Sequence, residues 1–220
     1  MDWTAFRLSI ELAAATLAVL LPAGLLLARW LARARFVGKS LVEALVVLPL
    51  VLPPTVLGYY LLVTFGAASP LGRWLEQALD LRLTFNFAGL LVASVIFNIP
   101  FMVQPIQRAF EAIPQALGEA AAVSGLSAWQ AFVRVELPLA WPGILSALVL
   151  TFVHTLGEFG VVLMMGGNIP GETRTIAIAI YDRVQAFDLA SADRMASLLL
   201  VFSLVAVAAS FLAAARTLRR

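Results

Sequence analysis

Residues 119–138 read EAAAVSGLSAWQAFVRVELP, a polar-punctuated stretch set between two long apolar runs. Upstream, Pro114 suits the first turn of a helix and Gln115 to Ser124 is rich in alanine. Gly125 falls where a helix C-terminus needs a left-handed residue. Ser127 followed by Gln130 has the spacing of a capping box, which predicts a second helix, and Pro138 is expected to stop it. The segment therefore reads as a short helix–turn–helix, lying on a membrane surface and shaped as a knob for a partner's groove. An amphipathic interfacial connection would explain Trp129 and Arg134 equally well.

The rest of the chain says why a membrane enters the reading. Of its 220 residues 62% are hydrophobic and 13% charged, the composition of a polytopic membrane protein. The chain has no cysteine, which excludes a disulfide framework and a thiolate metal site, and its single histidine, His154, excludes a multi-histidine centre. A net charge of +2 does not point to nucleic acid. No Gly-x4-Gly-Lys-[Ser/Thr] loop occurs, so ATP chemistry, if any, belongs to a partner. No nucleophile–base or metal constellation suggests an enzyme, and no bound cofactor is expected.

A span needs roughly 20 apolar residues. Stretches 8–30, 41–65, 86–107, 142–165 and 195–215 meet this, predicting an all-α integral membrane protein with about five transmembrane helices in one domain, 1–220. The first run reads as a retained span rather than a cleaved signal, because it is long, its flank is not basic and Glu11 interrupts its start. The run 175–187 is too short to cross and reads as a surface or re-entrant helix. Pro49, Pro53 and Pro54 predict a kink in the second span. Arg29, Arg33, Arg35 and Lys39 in the first connection, with Arg216, Arg219 and Arg220 at the carboxyl end, place these segments inside. The N-terminus is then outside, the C-terminus inside, and the 108–141 loop cytoplasmic.

Ionisable and polar groups within spans usually face the bundle interior or water. Thr151, His154, Thr155 and Glu158 lie on the fourth run, with His154 and Glu158 expected on one helical face. They could line a path for an oxyanion, with the threonines as donors, or make interhelical hydrogen bonds. Glu158 fits the latter better, since a free carboxylate repels an anion. Asn98 and Gln104 on the third run, six apart, do not share a face cleanly.

The spacing in 119–138 fills every position of E-A-A-x3-G-x9-[IV]-x-L-P and resembles the cytoplasmic loop of ABC-type importer permease subunits. ALVVLPLVLPPTVLGYYLL (44–62) and LGEFGVVLMMGGNIPGETRTIAIAIY (156–181) are similar to molybdate-type permeases, with the sulfate/thiosulfate permeases nearest in pattern. The resemblance implies a type I ABC importer permease fold in the bacterial inner membrane, acting as a homodimer with two copies of an ATP-binding subunit and a periplasmic oxyanion-binding protein. ATP-Mg would be bound by the ATPase subunit. Glu119, Ala120, Ala121, Gly125, Trp129, Phe132, Val135, Leu137 and Pro138 would form the ATPase-coupling loop, Glu119 meeting a basic residue of the ATPase and Trp129 and Phe132 giving apolar anchoring.

The GGNIPGETRT loop (166–175) cannot be regular structure. Gly167, Asn168, Pro170, Gly171 and Arg174 would gate the far side or dock the binding protein, Arg174 pairing with an acidic residue there; a plain solvated connector is the alternative. The expected cargo is molybdate, with tungstate and sulfate as tetrahedral dianions of similar demand. An ATP-independent channel or secondary transporter, or a membrane scaffold without flux, would lack a stoichiometric ATPase partner.

Overall fold

The structure, a computed structural model, describes residues 1–217. Its elements are the helices α1 (Trp3–Arg33), α2 (Lys39–Val51), α3 (Pro54–Phe65), α4 (Pro70–Leu79), α5 (Phe87–Glu111), α6 (Gln115–Val123) and α7 (Ala128–Ala131), then a π-helical turn Phe132–Glu136, then α8 (Leu137–Gly157), α9 (Gly160–Gly166), α10 (Ile176–Gln185) and α11 (Leu189–Thr217). Short polar residues start the long ones: Asp2 accepts from the Ala5 N–H at 2.9 Å, and Asn86 accepts from the Gly89 N–H at 2.8 Å.

Among the described residues, Trp3–Arg33, Phe87–Glu111, Ala128–Gly157 and Leu189–Ala209 are long and apolar enough to cross a membrane. A fifth crossing is formed if the bent pair α2–α3 counts as one. The bend is 108°. Leu52, ahead of two prolines, is extended at φ −72° and ψ 138°, the conformation a residue before proline prefers. Pro54 then opens α3 at a position where a missing N–H costs nothing. The fourth apolar run is likewise broken, α8 ending at Gly157 and α9 starting at Gly160.

Helices α1, α5 and α8 pack together around Leu20, Leu31, Met102, Ile106, Phe110 and Ile144, all buried. In a bilayer such packing rests on close fit and on interhelical hydrogen bonds, so small residues mark the contacts. A Cβ on Gly24 of α1 would stand 2.6 Å from Met102 Cγ of α5. On Gly143 of α8 it would stand 2.8 Å from the Pro105 carbonyl oxygen. A second cluster, with Leu57, Leu61, Phe97, Val161 and Met165, joins α3, α5 and α9.

Contacts sort the loops into two ends. At one, Arg29 meets Glu136, Gln107 donates to Glu43, and Phe110 faces Phe132. At the other, the Ile176 N–H donates to Ser9 Oγ at 2.8 Å and the Phe85 N–H to the Met165 carbonyl at 2.8 Å. The segment with the Glu-Ala-Ala triplet shares its end with Arg29, Arg33 and Lys39; Arg219 and Arg220, the other half of the charge asymmetry, lie outside the described residues, as does the Arg216 side chain.

Two sequence expectations change. The connection at the first end is shorter than 108–141, because α5 continues to Glu111. Pro138 does not stop a helix: it is the second residue of α8, and Ala128–Gly157 forms one continuous span. The π turn before it supplies the room, since a proline ring clashes with the carbonyl four residues back in a regular α-helix. The second connection, on which the sequence reading is silent, holds a helix, α4, started by Pro70 with Ser69 accepting from the Gly72 N–H at 2.7 Å.

Candidate functional site

The knob is built by two caps. At the end of α6, Gly125 stands at φ +77°, the Leu126 N–H reaches the Ala121 carbonyl at 3.1 Å and the Gly125 N–H the Ala122 carbonyl at 3.0 Å. This is a Schellman closure, which needs a left-handed residue. Ser127 then caps α7: its Oγ accepts from the Gln130 N–H at 3.3 Å while its own N–H donates to Gln130 Oε1 at 2.9 Å. Both caps had been legible in the residue types alone.

Burial separates the loop residues into an inner and an outer set. Ala121 and Phe132 are buried, and Val135 and Leu137 are half-buried. Phe132 lies 6.4 Å from the Phe110 ring and 5.5 Å from the Trp129 ring. Glu119, Ala120, Gly125 and Pro138 are exposed, and so is Trp129 at 70%. Apolar anchoring within the chain is therefore the work of Phe132; Trp129 offers most of its ring outward. Val123, the last residue of α6, is 91% exposed.

One acidic residue of the stretch was not singled out by sequence. Glu136 accepts from Arg29 Nε at 2.6 Å and from Arg29 Nη2 at 3.4 Å, with Arg33 Nη2 at 3.7 Å. Arg29 also lies 4.8 Å over the Phe132 ring. The knob is thus tied to the end of α1. The only sequence trace of it is an i,i+4 arginine pair and an acid between Val135 and Leu137.

In the spans, a chain of hydrogen bonds links α1, α5 and α8. Thr16 Oγ1 and Ser94 Oγ are 2.8 Å apart, Asn98 Nδ2 donates to the Ser94 carbonyl at 2.8 Å, and Asn98 Oδ1 lies 3.0 Å from His154 Nδ1. With the Asn98 amide nitrogen turned to Ser94, its oxygen accepts, so the histidine carries a proton on Nδ1. The imidazole stacks on Phe101 at 3.9 Å. Of the six polar residues marked as a candidate pathway, only Asn98 and His154 are joined side chain to side chain. Thr155 donates to the Thr151 carbonyl at 2.8 Å, a bond within α8. The Thr151 hydroxyl is buried without a partner.

Glu158 does not share a helical face with His154. The helix has ended, Glu158 is extended at ψ 129°, and its carboxylate accepts from the Val161 N–H at 2.9 Å to cap α9. Gln104 stands apart, in a small cavity with Glu43, Gln107 and Arg108.

At the far end, Gly167 and Gly171 take φ +67° and +82°. Thr173 Oγ1 donates to the Gly166 carbonyl at 2.7 Å and accepts from the Ile169 N–H at 3.1 Å, closing the turn. Gly166 itself belongs to α9. Arg174 is already paired: its Nε donates to Asn168 Oδ1 at 2.6 Å and lies 3.5 Å from Asp182 of α10. Asn168 in turn donates to both Asp182 oxygens at 2.9 and 2.8 Å. A partner's acid would have to compete with Asp182.

Comparison with known proteins agrees with this architecture. The Molybdenum transport system permease protein ModB of Azotobacter vinelandii is 50% identical over 211 residues, 96% of this chain and 93% of that protein. The ModB protein of Haemophilus influenzae is 40% identical over 185 residues, covering 84% and 81%. The Sulfate transport system permease protein CysT of Escherichia coli is 37% identical over 182 residues, covering 83% of this chain and 65% of that protein. The crystal structure of a bacterial ABC transporter involved in the import of the acidic polysaccharide alginate superimposes with a TM-score of 0.77 over 97% of this chain and 78% of that one. At 21% identity the likeness is one of fold. Residues 21–220 match the family model of this architecture, and the chain belongs to the binding-protein-dependent transport system inner membrane components.

Proposed function

We propose that this inner membrane component is the permease subunit of an ABC importer that carries molybdate, and tungstate as its close analogue, inward. The observation that carries the coupling half is the knob itself: a doubly capped helical turn with Glu119, Val123 and Trp129 exposed. A surface of exposed aromatic and aliphatic side chains beside an acid is what a partner's groove engages. The partner is an ATP-binding subunit in two copies, each docked on one permease of a homodimer, the commonest symmetric assembly. With the N-terminus outside and the C-terminus inside, the knob is cytoplasmic and the 167–175 loop faces a periplasmic oxyanion-binding protein.

In this reading ATP closes the two ATPase subunits and draws the knobs together, a rigid-body change that switches the cavity from one side to the other. The loaded binding protein releases its anion into the outward-facing cavity, and hydrolysis resets the assembly. The permease contributes no ATP chemistry of its own, and ATP-Mg resides on the partner.

Molybdate as cargo is supported by the two ModB relatives, at 50% and 40% identity. Sulfate is the second reading, supported by the 37% identity with CysT. The test is ATP-dependent uptake into vesicles holding the permease, its ATPase and its binding protein, with the three anions in competition. Molybdate uptake blocked by tungstate and not by sulfate is expected. Sulfate transport at equal efficiency overturns the cargo and leaves the coupling intact. An ATP-independent channel, secondary transporter or scaffold predicts no ATPase subunit co-purifying in a Glu119-dependent way.

A further inference from the structure

The joint between the knob and α1 has an asymmetry that the proposed docking role does not use. Glu136 is held by a two-pronged contact from Arg29, 2.6 and 3.4 Å, and its carboxylate is largely buried. Arg33, four residues on and so one turn further along the same face of α1, comes to 3.7 Å through Nη2. Its Nε is buried and has no acceptor. A buried guanidinium N–H without a partner is costly unless another arrangement satisfies it. The acid they share sits at the last residue of the π turn Phe132–Glu136, where the backbone holds a wider coil than an α-helix, and such turns recur at functional places.

We infer that Arg29 and Arg33 are alternate seats for Glu136, occupied in turn as the knob moves against α1 during transport. In the arrangement described here the Arg29 seat is filled, and stacking of Arg29 on Phe132 at 4.8 Å belongs to it. In the other, the π turn passes its extra slack along the helix, Glu136 leaves Arg29 and closes the 3.7 Å gap to the Arg33 guanidinium, and the orphaned Nε gains its acceptor. The two arginines are positioning residues: neither touches the anion or ATP. The inference rests on the reading of the knob as the ATPase dock.

The experiment uses permease–ATPase complexes in lipid nanodiscs, with ATP hydrolysis measured with and without the molybdate-loaded binding protein. Wild type is compared with Arg29→Gln, Arg33→Gln and Glu136→Gln, and with each arginine variant in the Glu136→Gln background. Removing one seat favours the other, so the two arginine variants are expected to shift basal hydrolysis in opposite directions, each by about fivefold, a typical conformational coupling. Neither has a further effect once Glu136 is neutral. Shifts in the same direction, no shift, or shifts that persist in the Glu136→Gln background overturn the inference and indicate a static tether. Should Arg29→Gln fail to assemble, Arg29→Lys keeps the charge without the two-pronged geometry and is expected to shift the rate in the same sense, less strongly. A wild-type complex that fails to couple hydrolysis to the loaded binding protein removes the docking reading itself, and the joint with it. Coupled wild type with indistinguishable arginine variants removes the joint alone.

Discussion

Gly125 shows how much a single residue decides at this site. A Cβ placed there meets nothing within 4 Å, so space does not demand glycine; the φ of +77° does. A β-branched residue in that conformation is strained by roughly 1–2 kcal/mol, and relief would come by unwinding the closure at Leu126. Gly125→Val is therefore expected to leave the spans folded while the ATPase subunit no longer co-purifies, whereas Gly125→Asn, which tolerates the left-handed region, retains it. Gly118, on α6 and equally free of neighbours, is the control, and Gly118→Ala should behave as wild type. Wild-type co-purification with Gly125→Val would show that the turn is dispensable. This residue was legible in the sequence because left-handed turns leave a composition mark. Glu136 was not, because an ion pair 107 residues apart in sequence leaves none.

Elements that start with a cap were equally legible. Ser127 and Gln130 close a reciprocal pair of bonds at α7, only four residues long and dependent on that start. Ser127→Ala is expected to destabilise the knob by about 1 kcal/mol, seen as faster amide exchange of the α7 segment with that of α5 unchanged; unchanged exchange in α7 would mean that Phe132 alone fixes it. At the head of α11, Asp188 accepts from the Ser191 N–H at 3.2 Å. The Ser191 hydroxyl and N–H, aided by Arg183 and Arg194, hold its carboxyl below the ordinary carboxylate value. Because the folded value is lowered, this capping contribution is fully present above the ordinary carboxylate range and is lost as pH falls through the lowered value. Asp188→Asn should remove that part of the acid sensitivity of unfolding; an unchanged acid limb would assign the sensitivity elsewhere. Breaks were harder to place than starts. Pro53 and Pro54 announced the bend between α2 and α3, but Pro138 read as a stop and proved to lie inside a continuous span, since a π turn carries no residue preference strong enough to be seen in advance.

Across the whole molecule, several polar groups of the membrane region are directed at one another. Asn98, His154 and Thr155 have partners within the bundle and Glu158 caps α9, while the Thr151 hydroxyl is buried without one. Pattern reading found these residues because polar side chains stand out in apolar runs. It could not sort pathway from scaffold, because that depends on which helix faces which. A dianion needs several convergent donors, and beside His154, whose Nδ1 already faces Asn98, the buried donor left over on α8 is the Thr151 hydroxyl. Tight retention would also slow release, as a deep well does in any conducting path. The permease–ATPase complex without its binding protein is therefore expected to bind molybdate weakly, with no saturable heat in calorimetry up to about 0.1 mM, a range where binding is worth no more than ~5–6 kcal/mol. Micromolar binding that is lost in His154→Ala but kept in Glu158→Gln would place a true anion site on α8 and make the permease, as well as the binding protein, a judge of its cargo. Absence of such binding, together with uptake that follows the binding protein supplied, leaves α1, α5 and α8 as a moving frame whose selectivity is set outside the membrane.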